Sequence, residues 1–141
     1  MKKLVFNKAA RIAFGNRKAE RYSKVGRDME ARVYQVLNQA LKNGQPCFSK
    51  VIYHEPNGIM DRDGADFTVI KIADEAIHSI SFGISISRKH CEESKLKHSD
   101  RLQMHFPINI KDSTIVEKVE KLFFDQRFSR YLEKETIKAS E

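Results

Sequence analysis

Residues 80–87, ISFGISIS, place Ile80, Phe82, Ile84 and Ile86 on one parity and Ser81, Gly83, Ser85 and Ser87 on the other. Side chains of a strand alternate between faces, so this segment fits a half-buried β-strand. Its second face carries nothing larger than serine. Such a face is either a floor on which a neighbour packs closely or a site from which larger side chains are missing.

The flanking sequence extends this strand into a sheet. Residues 65–72, ADFTVIKI, read as a second strand, and the acidic IADEAI turn joins the two as a hairpin. Residues 47–54, CFSKVIYH, follow Pro46, are rich in β-branched and aromatic side chains, and read as another strand, separated from the hairpin by the turn-forming EPNGIMDRDG. Upstream, residues 28–44 read as a helix: Met29, Val33, Leu37 and Ala40 or Leu41 recur at helical spacing, Asp28 is the expected N-cap, and Gly44 sits where a left-handed C-cap belongs. Downstream, residues 88–103 are too polar for a buried helix and predict a short surface one. HFPINI, residues 105–110, is the expected fourth strand, with Pro107 marking an edge or a strand start. Thr114 and Glu117 form a capping-box pattern ahead of a long closing helix that carries Val116, Val119, Leu122, Phe123, Phe128, Tyr131 and Leu132. The expected order is helix, three strands, short helix, strand, helix.

A chain of 141 residues, 40% of them hydrophobic, suits one domain. We place it at residues 25–132, behind a basic arm at 1–24 and ahead of a frayed tail at 133–141. The net charge of +7 is segregated: residues 1–28 hold nine Lys or Arg against two acids, which leaves 17 against 17 in the rest. A basic arm on a balanced domain favours a polyanionic partner, because each neutralised phosphate releases condensed counterions. The bland alternative is a solvated tail. Arg11, Arg17, Lys18, Arg21, Lys24 and Arg27, with Arg88 beyond the third strand, are the candidate nucleic-acid contacts. No apolar run approaches the ~20 residues of a membrane span, and Asn7 and Lys8 end the apolar run of the opening MKKLVF too early for a secretory signal, so a cytoplasmic protein with no membrane partner is expected. Cys47 and Cys91 lack metal-ligand spacing and read as free, buried or half-buried thiols.

Two acids stand at unusual positions. Asp66 opens an otherwise apolar strand, where aspartate is disfavoured; a turn carboxylate bonded to backbone N–H groups would account for it. Glu30 stands at helical spacing ahead of Tyr34, Leu37 and Leu41, on or beside the core-facing stripe. Two such carboxylates meeting near a sheet are a partial oxygen-ligand set for a hard divalent cation, Mg²⁺ or Mn²⁺.

The element order together with Asp28-Met29-Glu30-Ala31-Arg32-Val33 and Gly64-Ala65-Asp66-Phe67 resembles the PD-(D/E)XK nucleases, the restriction-endonuclease-like fold that includes Holliday-junction resolvases. The resemblance spans residues 24–124. It implies an α/β domain with an αβββαβ core, a central mixed four-stranded sheet flanked by helices and a long C-terminal helix, in which Glu30 and Asp66 are metal ligands and catalytic acids. The family's third motif, an acid or glutamine, one residue, then a lysine, falls at Gly83-Ile84-Ser85, where neither the acid nor the lysine is present. Lys71, Lys89 and His90 are the nearby basic groups that could stand in, and Lys89 is assigned that role. The resemblance therefore implies a nucleic-acid-binding, nuclease-related protein with an incomplete site, weakly active or inactive, with DNA favoured over RNA and a homodimer allowed. An active Mg²⁺-dependent endonuclease with a relocated lysine is the enzymatic alternative. A scaffold or protein-interaction domain is the third.

Overall fold

The computed structural model describes residues 24–55 and 58–137; the first 23 residues, with Arg11, Arg17, Lys18 and Arg21, lie outside them. Helix α1 spans residues 24–42. Its stripe of Met29, Val33, Leu37 and Ala40 is buried, as the 3.6-residue period requires. Asp28 is an exposed residue inside this helix and does not cap it. The C-terminus is as expected: Gly44, at φ 67°, donates to the Leu41 carbonyl and Gln45 donates to that of Ala40, the paired bonds of a Schellman stop.

Strands β1 (Lys50–Tyr53), β2 (Phe67–Ala73) and β3 (Ala76–Ser85) form an antiparallel meander. The one-turn helix α2 (Ile59–Arg62) lies between β1 and β2. The β2–β3 hairpin turns on Asp74 and Glu75 alone, both at positive φ (54° and 58°). This is the twist-matched geometry of a two-residue type I′ turn, and a side chain longer than Asn or Asp is strained in it. Glu75→Gly is therefore expected to stabilise the fold by ~1 kcal/mol, read as a higher urea midpoint with an unchanged slope.

Helix α3 (Arg88–Lys97) is the expected polar surface helix, anchored by the buried Cys91. It supplies the crossover that parallel pairing of β3 with β4 (Leu102–His105) requires. The fourth strand thus ends at His105, the first residue of the strand expected at 105–110. Leu102 and Met104 are buried, whereas Ile110 donates back to Pro107 and leaves Ile108 64% exposed. The alternation of Phe106, Ile108 and Ile110 is that of a turn anchored at its two ends.

The long C-terminal helix is also replaced. Helix α4 (Asp112–Lys121) starts before Thr114, has Lys111 at its N-cap and no capping side-chain bond, so the capping box does not form. Arg32 on α1 binds the segment instead, donating to the Ile110 carbonyl at 2.5 Å and to Asp112 at 2.7 Å. The chain then turns at Asp125, whose carboxylate accepts from the Arg127 N–H, enters a 3₁₀ helix (Gln126–Tyr131) and returns as β5 (Leu132–Thr136). Residues 133–136, expected to fray, are part of this strand.

The result is an α/β fold with a five-stranded sheet. Its path runs β1-β2-β3-β4, and β5 pairs antiparallel with the first half of β3 while β4 pairs parallel with the second half. One core joins the α1 stripe, Phe67, Val69, Ile80, Phe82, Leu102 and Met104 of the sheet, and Ile115, Val119 and Leu122 at α4. Among the described residues no helix is long and apolar enough to cross a membrane.

Candidate metal centre

An aromatic row sets the register between α1 and the sheet. Tyr34 lies against Tyr53 (5.6 Å between centroids), Tyr53 stacks on Phe67 (5.1 Å) and Phe67 on Phe82 (5.7 Å). Glu30 precedes Tyr34 by one helical turn and Asp66 precedes Phe67 by one residue, so fixing the rings brings the two acids together. The sequence reading placed these two in one site, and they are neighbours here. Asp61, in α2, joins them: one ligand oxygen from each of Glu30, Asp61 and Asp66 lies within 4.8 Å of the others. Asp61 was missed because α2 is a single turn inside a segment read as loop. Its sequence signal is the acid spacing of DRDGAD, in which Asp61 and Asp66 bracket the reversal at Gly64.

Asp66 is held by the end of the ladder. Its backbone N–H donates to Phe82, its carbonyl accepts from His54, and its carboxylate accepts from the Ile84 N–H at 2.7 Å. The side chain therefore takes up a strand donor at the point where β2 parts from β3.

Three acids at this separation repel one another. Burial, then the charge of Asp66 and a hydrogen bond with it, then the charge of Asp61, push Glu30 from its ordinary 4.5 up to about 8, against the opposing pull of Arg27. Burial also raises Asp66, although hydrogen bonds from Glu30 and Ile84 oppose the rise. The Tyr53 phenol is raised by burial and then by the same three carboxylates. At neutral pH the trio thus retains a proton, shared along the Glu30–Asp66 contact. A divalent cation with oxygen preference fits this donor set, three carboxylates from three elements, and would displace the proton.

A cavity of 170 Å³ adjoins the acids, lined by Gly26, Glu30, Asp66, the 84–87 segment and His90. Lys89 is exposed and is not among its lining residues. Arg27 lies close enough to act on Glu30, and Arg88 opens α3 beside the cavity-lining Ser87; both are exposed, as is Lys24 at the start of α1. A larger groove of 930 Å³ runs beside α1 and the start of α4. Among the described residues, the acid lining it is Asp112, which is bonded to Arg32.

The small-residue face of β3 has a packing cause. A Cβ on Gly83 would meet the Gln103 amide oxygen and the Gly64 carbonyl. Gln103 is buried, lies opposite Gly83 in the parallel register, and donates to that carbonyl at 2.7 Å. Ser81 bonds Thr68, which bonds the His54 ring, each at 2.7 Å. Because one obstacle to a Gly83 side chain is backbone, Gly83→Ala is expected to cost ~2 kcal/mol through overpacking; equilibrium urea unfolding measures it.

No protein-family model, curated protein or solved structure matches this chain.

Proposed function

We propose that this protein is a nucleic-acid-binding, PD-(D/E)XK-like phosphodiesterase domain in which Glu30, Asp61 and Asp66 hold Mg²⁺ or Mn²⁺. The observation that carries the reading is the convergence of three carboxylates from α1, α2 and the start of β2, within the chain order of helix, three-strand meander, crossover helix and parallel strand. When bound, the cation would polarise a phosphate oxygen and lower the pKa of a coordinated water. The chain's own part is to fix the acids: the aromatic row sets Glu30 against Asp66, and the Ile84 N–H orients the Asp66 carboxylate. Exposed Lys24, Arg27 and Arg88, with the basic residues of the arm, supply phosphate contacts.

Binding without cleavage is the second reading. It is favoured by Gly83, where the family resemblance asks for an acid and the space is taken by Gln103, and by a cavity lining that includes no lysine among the described residues.

Removing residues 1–23 is expected to weaken DNA binding and flatten its dependence on salt, by up to roughly one unit of log–log slope for each phosphate that the arm neutralises. Incubation of DNA with Mn²⁺ and either the wild type or Asp66→Ala then separates the two readings: cleavage by the wild type alone supports the phosphodiesterase, and binding with no cleavage supports the second. Absence of salt-dependent binding to DNA or RNA rejects both.

A further inference from the structure

We infer that His90, and not a lysine, makes the direct protein contact with the phosphate that enters the acid-lined cavity, donating a ring N–H to a non-bridging oxygen. The inference rests on the metal-site reading above and assigns a residue to the wall that the carboxylates leave unoccupied.

The placement follows from helix geometry. Ser87 caps α3 by accepting from the His90 N–H at 3.2 Å, and the Cys91 N–H donates to the Ser87 carbonyl, so the first turn is fixed from the end of the β3 segment. Cys91, 3% exposed, turns one face of the helix inward. At ~100° per residue, His90 stands to one side of that face and Lys89 twice as far round. Accordingly His90, exposed like Lys89, lines the cavity with Glu30 and Asp66, whereas Lys89 does not. One wall is then anionic, and the other presents an imidazole with the hydroxyl-bearing Ser85 and Ser87.

The size of the cavity is compatible with a phosphate group. The cavity of 170 Å³ has room for a cation and one phosphoryl group beside Glu30, Asp66 and His90. The group entering is a backbone phosphate, a contact that positions a nucleic acid without specifying its sequence.

The test uses the full chain with Ca²⁺, which holds oxygen ligands without supporting turnover, and a short single-stranded oligodeoxynucleotide. His90→Ala is expected to weaken oligonucleotide binding about tenfold or more, since a charge-assisted hydrogen bond is removed, with Mn²⁺ affinity unchanged; His90→Lys should restore it. In the wild type, the ring resonances of His90 should shift on addition of the oligonucleotide. Equal affinity of wild type and His90→Ala, or an unmoved His90 ring, with Mn²⁺ binding intact, overturns the role of His90 alone; failure of the wild type to bind the oligonucleotide rejects the nucleic-acid reading and this inference with it. Failure of the wild type to bind Mn²⁺ removes the metal-site reading and this inference with it. Cooperative thermal unfolding of both variants checks that α3 is retained.

Discussion

Glu30→Gln is expected to make the metal-free protein more stable than the wild type above pH 8, by ~2 kcal/mol, and to make no difference near pH 4.5. Glu30 titrates near 4.5 in the unfolded chain and near 8 in the fold. Between those values the native state holds the extra proton, so stability must fall as pH rises. The loss begins above 4.5 and is complete once pH has passed 8. The full shift corresponds to nearly 5 kcal/mol at ~1.4 kcal/mol per unit, but Glu30 is only partly buried and solvent screening reduces it to roughly half. Glutamine cannot ionise, keeps the side-chain volume and removes the repulsion from Asp61 and Asp66. Urea unfolding of both proteins across pH 4.5–9 measures the difference. A constant offset would place the effect of the substitution outside the titration of this trio.

Substitution of Asp66 is expected to have the largest effect on metal binding. Loss of its carboxylate should lower Mn²⁺ affinity by ~100-fold or more, since altering even the outer partners of metal ligands costs 10- to 100-fold. The wild type, at a cation concentration ~100 times its Kd, gains about 2.7 kcal/mol of stability, and Asp66→Asn should gain almost none. Comparing two substitutions separates charge from hydrogen bonding. Asp66→Asn retains an oxygen for the Ile84 N–H and should fold with near wild-type stability, whereas Asp66→Ala leaves that donor without its acceptor and should cost a further ~1–3 kcal/mol. Thermal unfolding with and without Mn²⁺ reads both. Equal stabilisation of wild type and Asp66→Asn by the cation would place the metal elsewhere.

The sequence made legible those features determined by local alternation. The α1 stripe, the β2–β3 hairpin and the stop at Gly44 each depend on residues a few positions apart, and they stand where periodicity puts them. Glu30 and Asp66 were legible as residues out of keeping with their elements. What could not be read depended on distant contacts. The α4 start is held by Arg32 across 80 residues of chain, which overrides the local Thr114–Glu117 pattern. β5 exists because β3 offers its first half as a free edge, and LEKET carries no alternation strong enough to announce a strand. At β4 the apolar parity of residues 106–110 outweighed the shorter LQMH, whose buried Gln103 looks polar in sequence but is satisfied by the Gly64 carbonyl. That same contact accounts for Gly83, the residue whose emptiness first suggested a missing acid.

Calorimetric titration of the full chain with Mn²⁺ at pH 7, repeated in buffers of different ionisation enthalpy, tests the metal centre most directly. One saturable site should release roughly one proton per ion, because the trio that binds the cation gives up the proton shared by Glu30 and Asp66, and both the heat and the proton should vanish in Asp66→Asn. Binding that releases no proton, or that survives in Asp66→Asn, would contradict the assignment of this site.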